Sequence, residues 1–410
     1  MENNKAFVAY LRNIQPIDGA DKIKQADVVL NDIKITQVVV GVDTVENTKI
    51  VYFDSNMVLS DVILNDYPEL DTYLSKHRVR VIKLRGVISN GLAVEVEKFY
   101  KYAKPDFFSE GVSFTELNGK PICSKYLPPV KQSTQPKGKK GRTPKVSRMI
   151  PGQFHFHIDT DQLLRNVHKL NHDSVISITR KIHGTSAIAS NCLVKRKKSL
   201  MEKLTFWIDS PGVHYDMVYA SRSVIKNDSL DSGFYGYDIW KDAGQKHFDG
   251  KLFNGETVYY EIVGFLPSGS AIQKGYDYGC KPGEYKIAVY RITKTGPDGH
   301  IVEYCWQAIK ERCKELSVDH VQEYYFGRAS SKYIIEDDNW NQQFVKALQN
   351  EYLEKICHDC QGKKADEGIV LRVESLGIEV YKLKSELFLL GESKASDDGD
   401  ENLEDTQDAT

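Results

Sequence analysis

The 410-residue sequence has no run of about 18 uninterrupted apolar residues, the length a membrane-spanning helix needs. Its first residues, MENNKAFVAYLRNIQ, lack the basic-then-apolar pattern of a secretory leader. Neither a span nor a signal peptide is expected, and the expected location is intracellular: cytoplasmic, nuclear, or inside a host cell if the protein is viral. Cysteine is scarce. Seven residues, Cys123, Cys192, Cys280, Cys305, Cys313, Cys357 and Cys360, are odd in number and scattered, which argues against a disulfide framework and for reduced thiols. Net charge is missing as well: 55 Lys plus Arg against 57 Asp plus Glu leave -2, so any nucleic-acid surface must come from local segregation of charge. There is no internal repeat or low-complexity tract. Apolar and aromatic residues are plentiful, at 41% hydrophobic with 23 Tyr and 16 Phe, which excludes wholesale disorder. At about 100 to 200 residues per domain, two or three domains are expected.

Two segments break the even charge distribution. Residues 126–151 (YLPPVKQSTQPKGKKGRTPKVSRMIP) hold seven cations and no acid among Pro, Gly, Ser and Thr, which marks a basic flexible linker, either simply solvated or also touching phosphates. Residues 392–410 carry eight acids against one Lys394 and read as a disordered tail. The boundaries therefore fall at 1–125, 126–151, 152–391 and 392–410. Before the linker, short β-rich runs (KITQVVVGV, KIVYFDSNMVL, RVRVIKLRGV, GLAVEVEKF) predict a small β-barrel of the oligonucleotide-binding (OB) type. After it, strands such as SVISITRK, TVYYEIVG and GIEVYKLK alternate with helices over Val302–Leu316 and Asn339–Cys357. In the second helix Phe344, Leu348, Tyr352 and Ile356 fall on one face. That half reads as α+β with mainly antiparallel sheet.

Chemistry concentrates in this second half. A strand delivers Lys181 at its end, and His183-Gly184 turns the chain into a returning strand. Alone, Lys-x-His-Gly is a chance pattern. On the strand Glu256–Gly264, alternation puts Glu261 on one face with Tyr259 and Val263, where an isolated Glu would simply be an edge residue. Glu367 precedes Gly368, which lets a ligand approach the backbone. Lys382 and Lys384 share a strand face about 7 Å apart, and two ammonium groups at that spacing call for an anion such as phosphate. Cys357-His358-Asp359-Cys360 has the spacing of half a zinc site, but no second pair follows, so helix-end packing is expected there.

Taken in order, these stretches resemble the covalent nucleotidyltransferases, and within them the ATP-dependent RNA ligases. The carriers are Lys181-Ile182-His183-Gly184-Thr185, Ser221-Arg222, Tyr260-Glu261-Ile262-Val263-Gly264, Ile287-Ala288-Val289-Tyr290, Glu367-Gly368-Ile369-Val370 and Lys382-Leu383-Lys384. The His variant and Ile272-Gln273-Lys274-Gly275 are similar to the nick-sealing branch that includes the second T4 phage ligase. Ile17–Ile23 and Leu84–Leu92 resemble the N-terminal OB module of Deinococcus-type RNA ligases. The sequence departs from these relatives at Arg180, where Glu is frequent, at Ser221, where some have Lys, and in two insertions, the basic linker and Lys195–Leu204.

The resemblance implies an α+β chain: an OB-like barrel followed by an antiparallel-sheet nucleotidyltransferase (ligase) domain unrelated to ATP-grasp. It implies an enzyme that forms phosphoric-ester bonds, joining RNA 3′-OH and 5′-phosphate ends through lysyl-AMP and an adenylylated 5′ end, with nicked duplexes as substrate and RNA repair as the setting. ATP and Mg²⁺ are the expected cofactors, with Mn²⁺ able to substitute, and the expected state is a monomer. Catalysis would rest on Lys181, His183, Lys382 and Lys384. Nucleotide contacts would come from Lys181, Gly184, Arg222, Glu261, Tyr290, Glu367, Val370, Lys382 and Lys384, and the metal would meet Glu367 through water. Within that set Glu261 would hold the ribose, Tyr290 and Val370 would sandwich adenine, and Arg222 would contact the RNA 5′-phosphate. A lysine amine must be neutral to attack, and a reference pKa of about 10.4 sets that cost at roughly 4 kcal/mol near neutral pH. Three rivals remain. A messenger-RNA capping guanylyltransferase and an ATP-dependent DNA ligase share the lysine motif, but both usually carry an OB domain after the two-lysine strand, where this chain has 26 residues after Lys384. A catalytically inactive OB-fold RNA-binding protein would not need Lys181, Glu261, Glu367, Lys382 and Lys384 intact.

Overall fold

The computed structural model describes residues 5–126, 148–158, 160–196, 212–226, 237–335, 339–375 and 377–398. Most of the basic segment 126–151, residues 197–204 of the second insertion and the end of the acidic tail lie outside them.

The alternation Ala6-Phe7-Val8-Ala9 builds the longest strand of the N-terminal unit, β1 (Ala6–Pro16). Phe7, Ala9 and Leu11 pack with Val28, Val38 and Tyr52 on one face. Ala6 and Val8 pack with Val51, Phe53, Phe99 and Phe114 on the other. A strand covered on both sides must be central, and β1 pairs with β2 (Ile23–Leu30) and β4 (Lys49–Phe53), flanked by β3 (Ile33–Gly41), β5 (Leu92–Glu95) and a short β6 (Ser113–Phe114). The order is β3-β2-β1-β4-β5, antiparallel throughout, with β6 paired to β1. The sheet curls until β3 meets the hairpin Val81–Leu84/Val87–Asn90, where the Val39 N–H donates to Ser89 Oγ at 2.9 Å.

The second unit holds two five-stranded sheets. One runs β7-β16-β15-β8-β14, from β7 (Asp161–Gln162), β8 (Val175–Lys181), β14 (Glu323–Arg328), β15 (Gly368–Val373) and β16 (Glu379–Lys384). The other runs β10-β9-β11-β12-β13, from β9 (Thr185–Lys195), β10 (Val213–Ser221), β11 (Glu256–Gly264), β12 (Tyr285–Thr295) and β13 (Ile301–Glu303). Pairing is antiparallel except between β7 and β16. Helices α1 (Ile239–Phe248) and α2 (Trp306–Leu316) bury Trp240, Phe248 and Trp306 against the second sheet. Helix α3 (Trp340–Tyr352) buries Phe344 and Leu348 against Ile176, Ile178, Ile369 and Leu371 of the first. Among the described residues no helix is long and apolar enough to cross a membrane.

The two units are joined by polar contacts. Arg165 pairs with Asp54, and Thr36 Oγ1 donates to Glu386 Oε1 at 2.9 Å. The last helix, α4 (Glu386–Asp397), seats Ser393 under the Val81 N–H (3.1 Å), while buried Arg78 takes Asp397.

Several local expectations are corrected. The helix expected from Val302 begins at Trp306, because Ile301–Glu303 pair with Thr293–Thr295 as an edge strand and Cys305 is extended. The helix expected to reach Cys357 ends at Tyr352. Glu354 takes a left-handed φ of 56°, and Ile356, 51% exposed, bridges to Ala365 instead of extending the apolar stripe. Glu392–Asp397, expected as the start of a disordered tail, are helical: they complete α4, whose first turn Ser385 caps through Phe388 N. Cys357 and Cys360 are joined by a disulfide rather than standing as separate reduced thiols at a helix end.

Candidate active site

Strand register alone gathers the charged groups. Ile176, Ile178 and Arg180 of β8 face the side covered by α3, so Thr179 and Lys181 face the other. On that second face Val370 lies opposite Thr179 and Gly368 opposite Lys181, while β16 sets Lys382 beside Val370 and Lys384 beside Gly368. Gly368 cannot be replaced cheaply, since its φ is +136° and a Cβ would fall 2.1 Å from the Leu383 carbonyl oxygen.

Glu367, 2% exposed, is the hub. Its Oε1 accepts from Lys181 Nζ at 2.8 Å and lies 3.0 Å from Lys384 Nζ, and His183 Nδ1 is 3.9 Å from its Oε2. Burial opposes ionisation of this carboxyl. The charges of Lys181 and Lys384, with His183, overcome it and hold Glu367 well below the usual carboxylate range. Oε2 is buried with no hydrogen-bond partner among the described residues. A hard carboxylate oxygen with spare lone pairs is the donor that Mg²⁺ or Mn²⁺ takes, so the residues present fit a divalent cation.

His183-Gly184 carry the chain from the first sheet to the second. A Cβ on Gly184 would lie 2.3 Å from the Ile262 carbonyl oxygen, so the crossing needs glycine. The His183 N–H donates to Tyr278 Oη (2.7 Å), buried Gln273 donates to the Gly184 carbonyl (2.7 Å), and the His183 ring meets Tyr276 and Phe388 edge-on, each at 5.0 Å.

On the second sheet Ser186 lies opposite Glu261. Strand β12 has one residue too many at this level: Tyr259 pairs with Arg291 and Tyr260 with Val289, which leaves Tyr290 as a bulge. Bulges re-aim a side chain, and Tyr290 Oη sits 2.8 Å from Ser186 Oγ.

A cavity of about 1100 Å³ opens between the sheets and extends along Gln342, Val345 and Gln349 of α3. Lys181, Arg222, Glu261, Tyr290, Val370, Lys382 and Lys384 line it, and it continues past Lys34, Thr36, Asn56 and Lys125 of the N-terminal unit. His183, Gly184 and Glu367 do not line the cavity but stand directly behind Lys181 and Glu261. Sequence reasoning missed Ser186, Tyr276, Tyr278 and Phe388. Only the placement of Ser186, two residues after the Gly184 turn at the start of the returning strand, carried a readable signal.

No protein-family model matches the chain, and no curated protein matches it. Among solved structures the fold is similar to that of the RNA ligase of Naegleria gruberi. An apo mutant of that enzyme superposes with a TM-score of 0.62 at 16% identity, covering 96% of this chain and 99% of the other. A mutant with ATP and Mn gives 0.61 at 17% identity, over 96% and 99%. The enzyme with PPi gives 0.60 at 16%, again over 96% and 99%. At such identity the likeness is one of fold: a mixed α+β, largely sheet architecture like that of an RNA ligase, shared over nearly the whole of both chains.

Proposed function

We propose that the chain is an ATP-dependent RNA ligase that joins 3′-OH and 5′-phosphate ends. The observation that carries this reading is the meeting of two lysines, Lys181 and Lys384, on one buried carboxylate beside a cavity whose far wall carries Glu261 and Tyr290. The similar Naegleria gruberi enzyme, an RNA ligase with structures containing ATP and Mn, supports it.

In this reading Lys181 Nζ attacks the α-phosphorus of ATP, the N–P bond forms, the bond to pyrophosphate breaks, and lysyl-AMP results. An RNA 5′-phosphate oxygen then takes the AMP from Lys181, and a 3′-OH displaces AMP to form the phosphodiester. Lys382 and Lys384 hold the phosphates and stabilise charge that grows in each transition state. Glu261 binds the ribose, and Tyr290 and Val370 enclose the adenine. Glu367 is too acidic to be a good proton acceptor, so its part is to orient Lys181 and Lys384. Glu367 would also hold Mg²⁺ or Mn²⁺, through water, and such an ion supplies charge neutralisation on phosphate oxygens. His183 serves the later steps, and Arg222 contacts the RNA 5′-phosphate. The N-terminal unit acts as an OB-type barrel on a nicked duplex, with the segment 126–151 as its basic connection to the ligase domain. The protein works as a monomer in RNA repair.

Intact-mass spectrometry after incubation with ATP and Mg²⁺, on protein first stripped with pyrophosphate, tests this. The wild type gains one AMP through an acid-labile bond, and Lys181→Ala gains none. Labelling by GTP alone would point to a capping guanylyltransferase; labelling by neither nucleotide would leave an RNA-binding module.

A further inference from the structure

The residue before Lys181 is a buried charge on an otherwise apolar strand face. Arg180 shares its strand face with Ile176 and Ile178, under α3, and is 3% exposed. A third isoleucine would fill that place without burying a charge, and a buried ion pair commonly gains little stability over well-packed apolar groups. Arg180 instead uses its whole guanidinium. Nε donates to Asp366 Oδ1 and Oδ2 at 3.1 and 3.0 Å, while Nη1 and Nη2 make two parallel bonds to Asp359 Oδ2 and Oδ1 at 2.9 and 2.8 Å. Nη2 also lies 3.3 Å from Cys357 Sγ.

The placement of these partners matters more than their number. Arg180 and Lys181 are consecutive on β8, and Asp366 and Glu367 are consecutive at the entry to β15. Successive strand residues face opposite ways, so Arg180 and Lys181 leave β8 on opposite sides, and Glu367 meets the one while Asp366 meets the other. Two ion pairs thus bolt the same two segments together from both sides. A slip of one residue would break both. Asp359 brings in a third piece, the loop between α3 and β15. That loop is tied by its Gln361 N–H to Asp277 (2.9 Å) and by its Ala365 carbonyl to Tyr276 Oη (2.8 Å), the ring that packs against His183.

We propose that Arg180 is a positioning residue for lysine adenylylation: by gripping Asp366 and Asp359 behind the sheet, it fixes Lys181 against Glu367 and so sets the line along which Lys181 meets the α-phosphate. This rests on the adenylylation reading given above. A rigid fork is needed for the task, because one ammonium cannot make parallel bonds to one carboxylate while holding another.

The test is single-turnover formation of the AMP adduct, measured as a function of ATP at a temperature where thermal melts show every variant fully folded. The variants are Arg180→Lys, Asp359→Asn and, as a control on the same strand face, Ile176→Val. Expected for Arg180→Lys is a fall of about 10- to 100-fold in the rate at saturating ATP, with the half-saturating ATP concentration within about threefold of wild type. Asp359→Asn, which keeps the Arg180–Asp366 pair, should lose less, about 3- to 10-fold, and it carries the test if Arg180→Lys fails to fold. Ile176→Val should melt earlier yet keep the wild-type rate. The proposal is overturned if the folded Arg180→Lys and Asp359→Asn proteins keep wild-type rates, or if the loss shows only in ATP affinity. If wild type itself acquires no AMP, the adenylylation reading falls and takes this proposal with it; if wild type labels and the variants label equally fast, only the proposal falls.

Discussion

The two sheets that wall the cavity contribute in different currencies. The first, through β8, β15 and β16, offers Lys181, Lys382 and Lys384 around a buried Glu367. The second offers at its centre a ring, a hydroxyl and one carboxylate: Tyr290, Ser186 and Glu261. Fixed charges are worth most where charge develops during a reaction, whereas a ring and a hydroxyl recognise groups that do not change. The first sheet should therefore govern how fast adenylylation runs, and the second how tightly ATP is held.

The sharpest way to break that division is Lys384→Ala. Its rate of AMP-adduct formation at saturating ATP should fall on the order of 10²- to 10³-fold, with a much smaller change in half-saturating ATP; a pure affinity defect, read from the same titration, would sink the division. Next comes Tyr290→Ala: if Tyr290 stacks on the adenine as proposed, loss of a stack worth about 1–3 kcal/mol should raise the half-saturating ATP concentration roughly tenfold or more. If its saturating rate falls as far as that of Lys384→Ala, the two walls are not distinct. A third outcome concerns acid. The Glu367 carboxyl is held well below its usual range in the folded chain, so the stability it contributes is present above the unfolded value of about 4.5 and is lost as pH falls below it. Glu367→Gln should accordingly show a flatter decline of melting temperature than wild type between about pH 5 and 3. The smallest effect should follow reduction of the Cys357–Cys360 disulfide behind the first sheet. Closing so short a ring is worth on the order of 2 kcal/mol at most, so a dithiol reductant should lower the melting temperature by only a few degrees and leave half-saturating ATP unchanged.

Much of this site could be read from the chain because its parts are local. Lys181, Glu367, Lys382 and Lys384 each sit beside a turn or on an alternating strand, and period-2 alternation already puts the last two on one face. Gly184 was legible only as a turn and Gly368 only as room for a ligand; what each admits is a neighbouring strand's carbonyl, of Ile262 and of Leu383. What was not legible depends on partners distant in sequence. The bulge that turns Tyr290 exists only because β12 pairs with β11, and nothing within Ile287–Tyr290 announces it. The grip of Arg180 needs Asp359 and Asp366, 179 and 186 residues away, although a charge ending the run Ile176-x-Ile178-x was a usable anomaly. Helix ends failed at Tyr352 because Glu354 is drawn off to serve another element, accepting from the Glu386 and Leu387 N–H groups.

Ser385 stands between Lys384, the last residue of β16, and Glu386, the first of α4. That helix is clasped by the N-terminal unit at Thr36, Val81 and Arg78. A single residue therefore separates a cavity-lining lysine from a helix whose far end is held by another part of the molecule. Mechanically, this is a crank with one joint: between the helix that the N-terminal unit clasps and the Lys384 ammonium, Ser385 is the sole intervening residue. The N-terminal unit thus has a short covalent path to the wall of the cavity.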